Sequence, residues 1–329
     1  MGGFSGFRIS GSLVTALSSL VLLTSGQAEA AQPSDQHTLP SSCATDESRG
    51  LNGYQPVLAL GYMATVVTTG TPKTTEQLQL APNKQYAQGD ISGTAELSAG
   101  GSNTVGTFKG TLNAGTIQVK GTLIGIVNEH FSFTGTTSCL MSKIDTTDLA
   151  ATSYLHLPST AKFTSECPSD SDYGGSVIAC IAKQIRDGLS QPGPYAGLIP
   201  KDGAIPYSGG GHGRVPGPGS DKGGLDCSGF TRWVYDIAYG SDVLGKGNAA
   251  HQAKILPKDP FPGAHLGDIV YWPPTTPAGH GHVGIVIAKD YMLDEPNGDG
   301  GHPPHNLRVD RISTFDKAVK HSYHYLAVT

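Results

Sequence analysis

Gly223-Gly224-Leu225-Asp226-Cys227-Ser228-Gly229-Phe230-Thr231-Arg232-Trp233-Val234-Tyr235 is the stretch from which the rest of the chain can be read. Phe230, Trp233 and Val234 recur at helical spacing, and Cys227 stands just ahead of them. The pattern predicts a helix with one apolar face and the thiol at its N-terminal end. The first N–H groups of a helix lack intrahelical partners and carry the positive end of the macrodipole. A thiol placed there is favoured as thiolate, the nucleophilic form. A nucleophile of this kind needs a base within reach, and the base needs a group that holds its ring.

His282 is the candidate base. It opens the apolar run His282-Val-Gly-Ile-Val-Ile-Ala288, so a strand backbone would hold it rigidly. His280, between Gly279 and Gly281, reads as a loop residue and is the second candidate. Asp294 follows His282 by twelve residues (294 − 282 = 12). A strand, a two-residue turn at Lys289-Asp290 and a strand returning from Tyr291 would bring it beside the imidazole. A carboxylate there fixes the tautomer and stabilises the imidazolium. Glu295 points to the opposite face in this register, and a one-residue slip would exchange the two acids.

The cysteine count supports the same residue. The chain has five: Cys43, Cys139, Cys167, Cys180 and Cys227. In an oxidising compartment four pair and one is left over. The local sequence makes Cys227 the odd one. The assignment adopted is Cys43–Cys139 with Cys167–Cys180, one of three pairings that four cysteines allow. The oxidising compartment is itself read from the N-terminus. Arg8, the apolar run Leu13 to Leu23 and the small-x-small stretch Ala28-Glu29-Ala30 have the pattern of a secretory signal peptide over residues 1–30. The run is short for a bilayer span and contains Ser and Thr, so a secreted or periplasmic protein is expected, with no membrane anchor.

Between leader and nucleophile the character changes twice. Residues 31–49 are polar, with Pro33 and Pro40, and read as a leader. Residues 50–165 read as a small all-β domain, a sandwich or open barrel. Gly106 to Leu112 and Thr116 to Lys120 alternate around the turn Asn113-Ala114-Gly115, the signature of a hairpin. Leu123–Val127 and Phe131–Thr134 continue it, and Glu129 and His130 read as a solvated strand end. A helix capped by Ser176 and closed at Gly188 or at Pro192-Gly193 is expected to open a second domain over 173–329. The Gly- and Pro-rich segment 191–224 reads as a loop lining a substrate groove, since dense glycine lets a backbone approach another chain closely. Ala249–Ile255 is a further short helix, and Leu266–Trp272 a further strand. One helix carrying the cysteine, packed on consecutive antiparallel strands, is an α+β arrangement. Net charge is −5, which gives no bulk attraction to nucleic acid or an anionic membrane. The chain has 12 histidines but no HExxH or CxxC spacing, so no metal and no cofactor is assigned.

Leu225-Asp-Cys-Ser-Gly-Phe230, Gly267-Asp-Ile-Val270 and His282-Val-Gly-Ile285, in this order, resemble the NlpC-type family of cell-wall cysteine peptidases. The resemblance covers about residues 173–329. It implies a papain-like fold and hydrolysis of amide bonds in peptidoglycan stem peptides, usually after D-glutamate and before a diamino acid. By resemblance Cys227 is the nucleophile, His282 the base, and Asp294 stands at the family's third polar position. Tyr207 falls where a tyrosine often precedes the glycines, and it, Ser228, Gly209 and Gly210 are expected to border the substrate or the oxyanion. The Trp that many secreted relatives carry is missing, since Ser208 runs straight into Gly209. The partner implied is peptidoglycan or its muropeptides. Two other readings compete: an inactive relative kept as a wall-binding or interaction protein, and an amidase acting on another amide.

Overall fold

The computed structural model describes Leu58, Ile205, Gly279 and residues 61–67, 73–125, 128–152, 157–167, 174–189, 207–210, 224–259, 263–274, 281–295, 307–315 and 323–326. All belong to one compact unit, His37–Thr329. The expected signal peptide, the leader, Cys43 and His280 lie outside the described residues.

Strands β1 (Tyr62–Val67), β2 (Thr75–Pro82), β3 (Gly89–Ala99), β4 (Ser102–Asn113), β5 (Thr116–Ile124), β6 (Glu129–Thr137), β7 (Lys143–Thr146), β8 (Ala150–Ala151) and β9 (Lys162–Ser165) form one antiparallel sheet. The sheet closes on itself. β1 pairs with both β2 and β9, while β6 pairs with β5 on one side and with β7 and β8 on the other. With β7 paired to β9, the ring is complete. Neither a sandwich nor an open barrel is therefore found. Closure removes the unpaired edges that an open sheet of this size would leave. The alternation in β5 (exposed Thr116, buried Ile117, exposed Gln118, buried Val119) sends one row of side chains inward. Eight strands leave an interior just wide enough for side chains, and Leu78, Ile91, Phe108, Phe131, Phe133 and Phe163 fill it. Phe133 and Phe163 stack with ring centroids 5.3 Å apart. Gly121 makes room for Phe131, since a Cβ at 121 would stand 2.2 Å from that ring. The turn between β4 and β5 is the two-residue Ala114-Gly115, both at positive φ, as a hairpin turn matching strand twist requires. One expectation is corrected. Glu129 is buried and accepts from Thr152 Oγ1 at 2.5 Å, so it is an anchor between β6 and the segment after β8 and not a solvated end.

Helix α1 (Gly174–Arg186) begins two residues before the expected cap, so Ser176 lies within its first turn. It ends in a Schellman motif: Gly188 at φ +73 donates to Ile185 and Leu189 donates to Gln184. Just past its end, the buried Asp187 carboxylate accepts from Ser138 Oγ (2.7 Å), Leu140 N (3.0 Å) and Ser142 N (3.0 Å), all in the loop between β6 and β7. Gln184 donates to Ser165 O at 2.6 Å, and Cys167–Cys180 is a disulfide. Cys139 is also disulfide-bonded. Cys139 and Leu140 share a core with Ile178, Ile181 and Ile185.

Helix α2 (Cys227–Tyr239) and helix α3 (Ala249–Ile255) precede strands β10 (Ile269–Trp272), β11 (His282–Ala288), β12 (Tyr291–Asp294), β13 (Arg308–Arg311) and β14 (His324–Leu326). The second sheet has the order β13-β12-β11-β10-β14. Val283, Ile285 and Ile287 turn one face of β11 toward Phe230, Trp233 and Val234 of α2, in one core. Val270, Trp272, Val286 and Met292 belong to the opposite face, with Ile312. His282 and Asp294 fall by alternation on that second face, at the ends of their strands. α2 stops at Gly240, whose φ of +64 satisfies the left-handed C-cap.

Candidate active site

The first turn of α2 is built by Asp226. Its backbone is extended, and its Oδ1 accepts from Gly229 N at 2.8 Å and from Ser228 Oγ at 2.7 Å. This N-cap fixes Cys227 as the first helical residue, beside N–H groups that no helical carbonyl reaches. Ahead of it, Leu225 bridges to Tyr207, and Ser208 N donates to Leu225 O at 2.8 Å. The bridge draws Tyr207 alongside the nucleophile turn. Cys227 is a free thiol and partly exposed.

His282 is held from four sides. Its backbone pairs with Trp272. Its ring stacks on Phe315 at 4.8 Å and lies 6.0 Å from the Trp272 ring. Its Nε2 is 2.7 Å from Asp294 Oδ2, and the Cys227 thiol is its other hydrogen-bond partner. With Nε2 committed to Asp294, Nδ1 is the nitrogen left for the thiol. Burial opposes charging the ring, but the negative charge at Cys227 and the bond to Asp294 outweigh it and push the imidazolium pKa up to about 10. Gly281 sets the angle of entry: its φ is +73, and a Cβ there would stand 2.6 Å from Trp272 O.

Asp294 reaches the imidazole through the two-residue turn at Lys289-Asp290, where Asp290 takes φ +63, and through a bulge between Val286 and Ala288 that shifts the register by one residue and sets Asp294 instead of Glu295 on the His282 face. Gly284 makes the approach possible. It is two residues from His282 on the same face, and a Cβ at 284 would lie 3.2 Å from Asp294 Cβ and 2.5 Å from Met292 Sδ. Gly284→Ala is therefore expected to push Asp294 off His282 and lower turnover about tenfold, with KM changed little. Steady-state kinetics beside a thermal melt checks this; a loss of folding alone would leave the kinetics of the folded fraction unchanged.

Asp294 is fully buried, and its Oδ1 has no hydrogen-bond partner. Arg308 faces it across β12 and β13, and Arg308 Nε donates to Asp310 at 2.5 Å. Burial and the Asp294 charge raise the Asp310 carboxyl to about 7, against the pull of Arg308. Glu295 is also fully buried, and both of its oxygens lack a hydrogen-bond partner. Burial, then Asp294 and Cys227, raise it to about 10, so it is a neutral acid near neutral pH. Asp294 thus holds the imidazole, and Glu295 does not.

Tyr207 is half-buried. Burial raises its hydroxyl to about 12, aided by Cys227, Asp226 and Glu295, so it stands near Cys227 as a neutral donor. Gly209 lies against the Tyr207 ring, where a Cβ would meet ring atoms at 3.7 Å, and Gly210 takes φ +80 in the turn that follows. Ser228, expected to border the substrate or the oxyanion, follows Cys227 in the first turn of α2. It is 1% exposed and donates to Asp226, and its carbonyl accepts from Thr231 and Gln252. These bonds engage the Ser228 hydroxyl with the helix start and its carbonyl with the buried Gln252.

Sequence reasoning missed Phe315, Gly284 and Asp310. The glycine of His282-Val-Gly-Ile285 was the one available signal, since a glycine inside a strand marks a close approach. Among the described residues, the group able to hold a metal ion is Asp259, His265 and Asp268, whose ligand atoms lie within 4.8 Å of one another. None of these residues belongs to the Cys227 site.

A helix-borne thiol, a strand-borne imidazole and a buried carboxylate joined in one line are the groups that nucleophilic catalysis by a cysteine requires. Residues 204–312 match the NlpC/P60 family, whose members are typically cell-wall peptidases acting on peptidoglycan-derived substrates. The C-terminal region of this chain is an NlpC/P60 domain, and the matched segment includes Tyr207, Cys227, His282, Asp294 and Asp310. Comparison with curated proteins returns no match.

Proposed function

We propose that this protein is a secreted cysteine endopeptidase that hydrolyses amide bonds in peptidoglycan stem peptides, between D-glutamate and a diamino acid, through a papain-like Cys–His–Asp arrangement. The observation that carries the reading is the His282–Asp294 bond of 2.7 Å on an imidazole that also bonds Cys227. Secretion is supported by the leader sequence and by the disulfide Cys167–Cys180, a bond that persists in oxidising compartments.

The chemistry follows from the positions. The Cys227 sulfur attacks the scissile carbonyl carbon, and backbone N–H groups at the start of α2 stabilise the oxyanion. The His282 imidazolium, kept charged by its neighbours, gives its proton to the leaving amine as the C–N bond breaks. Neutral His282 then takes a proton from water, which attacks the thioester and releases the acid. Asp294 keeps the ring turned so that Nδ1 serves both transfers.

The test is digestion of purified sacculi by the full chain, with mass spectrometry of the soluble products. New amine ends on diamino acids support the proposal. Products cleaved at another amide favour the amidase reading, and no products at all favour a binding protein that keeps the scaffold.

A further inference from the structure

The outer face of β4, β5 and β6 carries two adjoining depressions, of about 720 Å³ and about 440 Å³, that share Lys109, Lys120 and Ser132. Alternation along the strands places Thr107 and Lys109 of β4, Lys120 and Thr122 of β5, and His130 and Ser132 of β6 on this face. The register sets Lys109 directly opposite Lys120, and Lys120 directly opposite Ser132. Like charges directly opposite on neighbouring strands repel and destabilise a sheet. Neither lysine is in a salt bridge among the described residues. The chain as a whole is acidic, at −5, so the concentration of cationic groups in one trough runs against its overall balance.

Around the lysines stand the hydroxyls of Thr107, Thr122 and Ser132, with Ala150 and Ala151 at the larger depression and Gln118 and the carboxylate of Asp148 at the smaller. Thr122 Oγ1 is 3.0 Å from His130 Nδ1, which fixes the ring at the edge of the larger depression. Phe108 and Phe131 turn their rings into the barrel core, at 2% and 3% exposure, so the trough offers no aromatic surface for stacking bases. Paired cations set in a row of hydroxyls match a chain of sugars that carries carboxylates. The ammonium groups take the charge, and the threonines and serine exchange hydrogen bonds with ring hydroxyls.

We propose that this trough is a binding site for an anionic glycan, a polysaccharide strand bearing carboxylates, separate from the Cys227 site. The bound carboxylate offsets the repulsion between Lys109 and Lys120 that the free barrel carries. This site makes the barrel the wall-holding part of the molecule.

The probe is a fluorescent wall glycan freed of its stem peptides, so that its lactyl carboxylates are exposed and the peptidase site has no amide to engage. Binding to the full chain is measured by anisotropy at low and high salt. The wild-type chain should bind, and binding should weaken as salt screens the charges. The double variant Lys109→Ala/Lys120→Ala should bind at least tenfold more weakly, and Lys109→Arg/Lys120→Arg should keep most of the affinity. The alanine variant should melt at the same temperature as wild type or higher, because a repulsion has been removed, so a folding defect cannot imitate the loss. Equal binding by wild type and the alanine variant overturns the proposal, as does no binding by wild type at low salt. Tighter binding of duplex DNA or phosphatidylglycerol vesicles than of glycan, through the same lysines, overturns it too.

Discussion

Cys227→Ala lowers hydrolysis of stem-peptide amides by about 10⁴-fold or more, the scale on which removing the nucleophile of such a unit acts. No other residue of the site can form the thioester. Cys227 lies at the edge of its core and is partly exposed, so alanine there costs little packing. The variant should therefore fold and melt as wild type does. It should also lose the single reactive thiol: alkylation near neutral pH labels wild type at Cys227 and leaves the variant unlabelled. Full activity in the alanine variant would rule out the mechanism.

Asp294→Asn is the second large effect, about 10² to 10⁴-fold in kcat, because an amide neither holds the required tautomer nor stabilises the charged ring. It carries a pH signature that a packing defect would not. The His282 proton is held up to about 10 in the fold, against about 6.5 in an unfolded chain. Its contribution to stability is thus complete below pH 6.5 and is lost as the pH rises from there toward 10. The wild-type rate should fall along an alkaline limb near pH 10 as the leaving amine loses its proton donor. With asparagine at 294 one of the supports for the imidazolium is gone, and that limb should move to lower pH. Rate profiles of the two proteins, taken beside melts at pH 6 and pH 9, measure both. A limb that stays in place in Asp294→Asn would show that another group holds the ring.

The residues proposed as nucleophile, base and orienting acid could be picked out because each sits where local pattern is strong. Cys227 stands at a cap-and-helix boundary, His282 at the start of an apolar strand, and Asp294 at the end of a two-residue hairpin. The two-residue turn alone, pairing Ala288 with Tyr291, would set Glu295 opposite Gly284; the bulge between Val286 and Ala288 shifts the register so that Ile285 faces Leu293 and Asp294 comes to the His282 face, and no local pattern announces that bulge. What could not be read was set by contacts distant in sequence. Phe315 reaches His282 only because β13 returns beside β12, and Asp310 approaches Asp294 through the same pairing. Closure of the barrel was hidden for the same reason: the pairing of β1 with β9 joins Tyr62 to Ser165, and nothing local in either strand announces it.

Taken with the proposed peptidase activity and the proposed glycan site, the end of α1 would set where along a wall the cuts fall. Asp187 takes three hydrogen bonds from the loop between β6 and β7, Gln184 takes hold of β9 at Ser165, and Cys167–Cys180 ties the exit of β9 to the helix. A barrel fastened at so many points to the body that bears the thiol cannot swing on a tether. A strand gripped by the barrel then meets the thiol at one set offset, as wood meets the blade on a fixed jig. Cuts should fall at regular intervals from the point of grip, and lengthening the segment between β9 and α1 should blur that spacing.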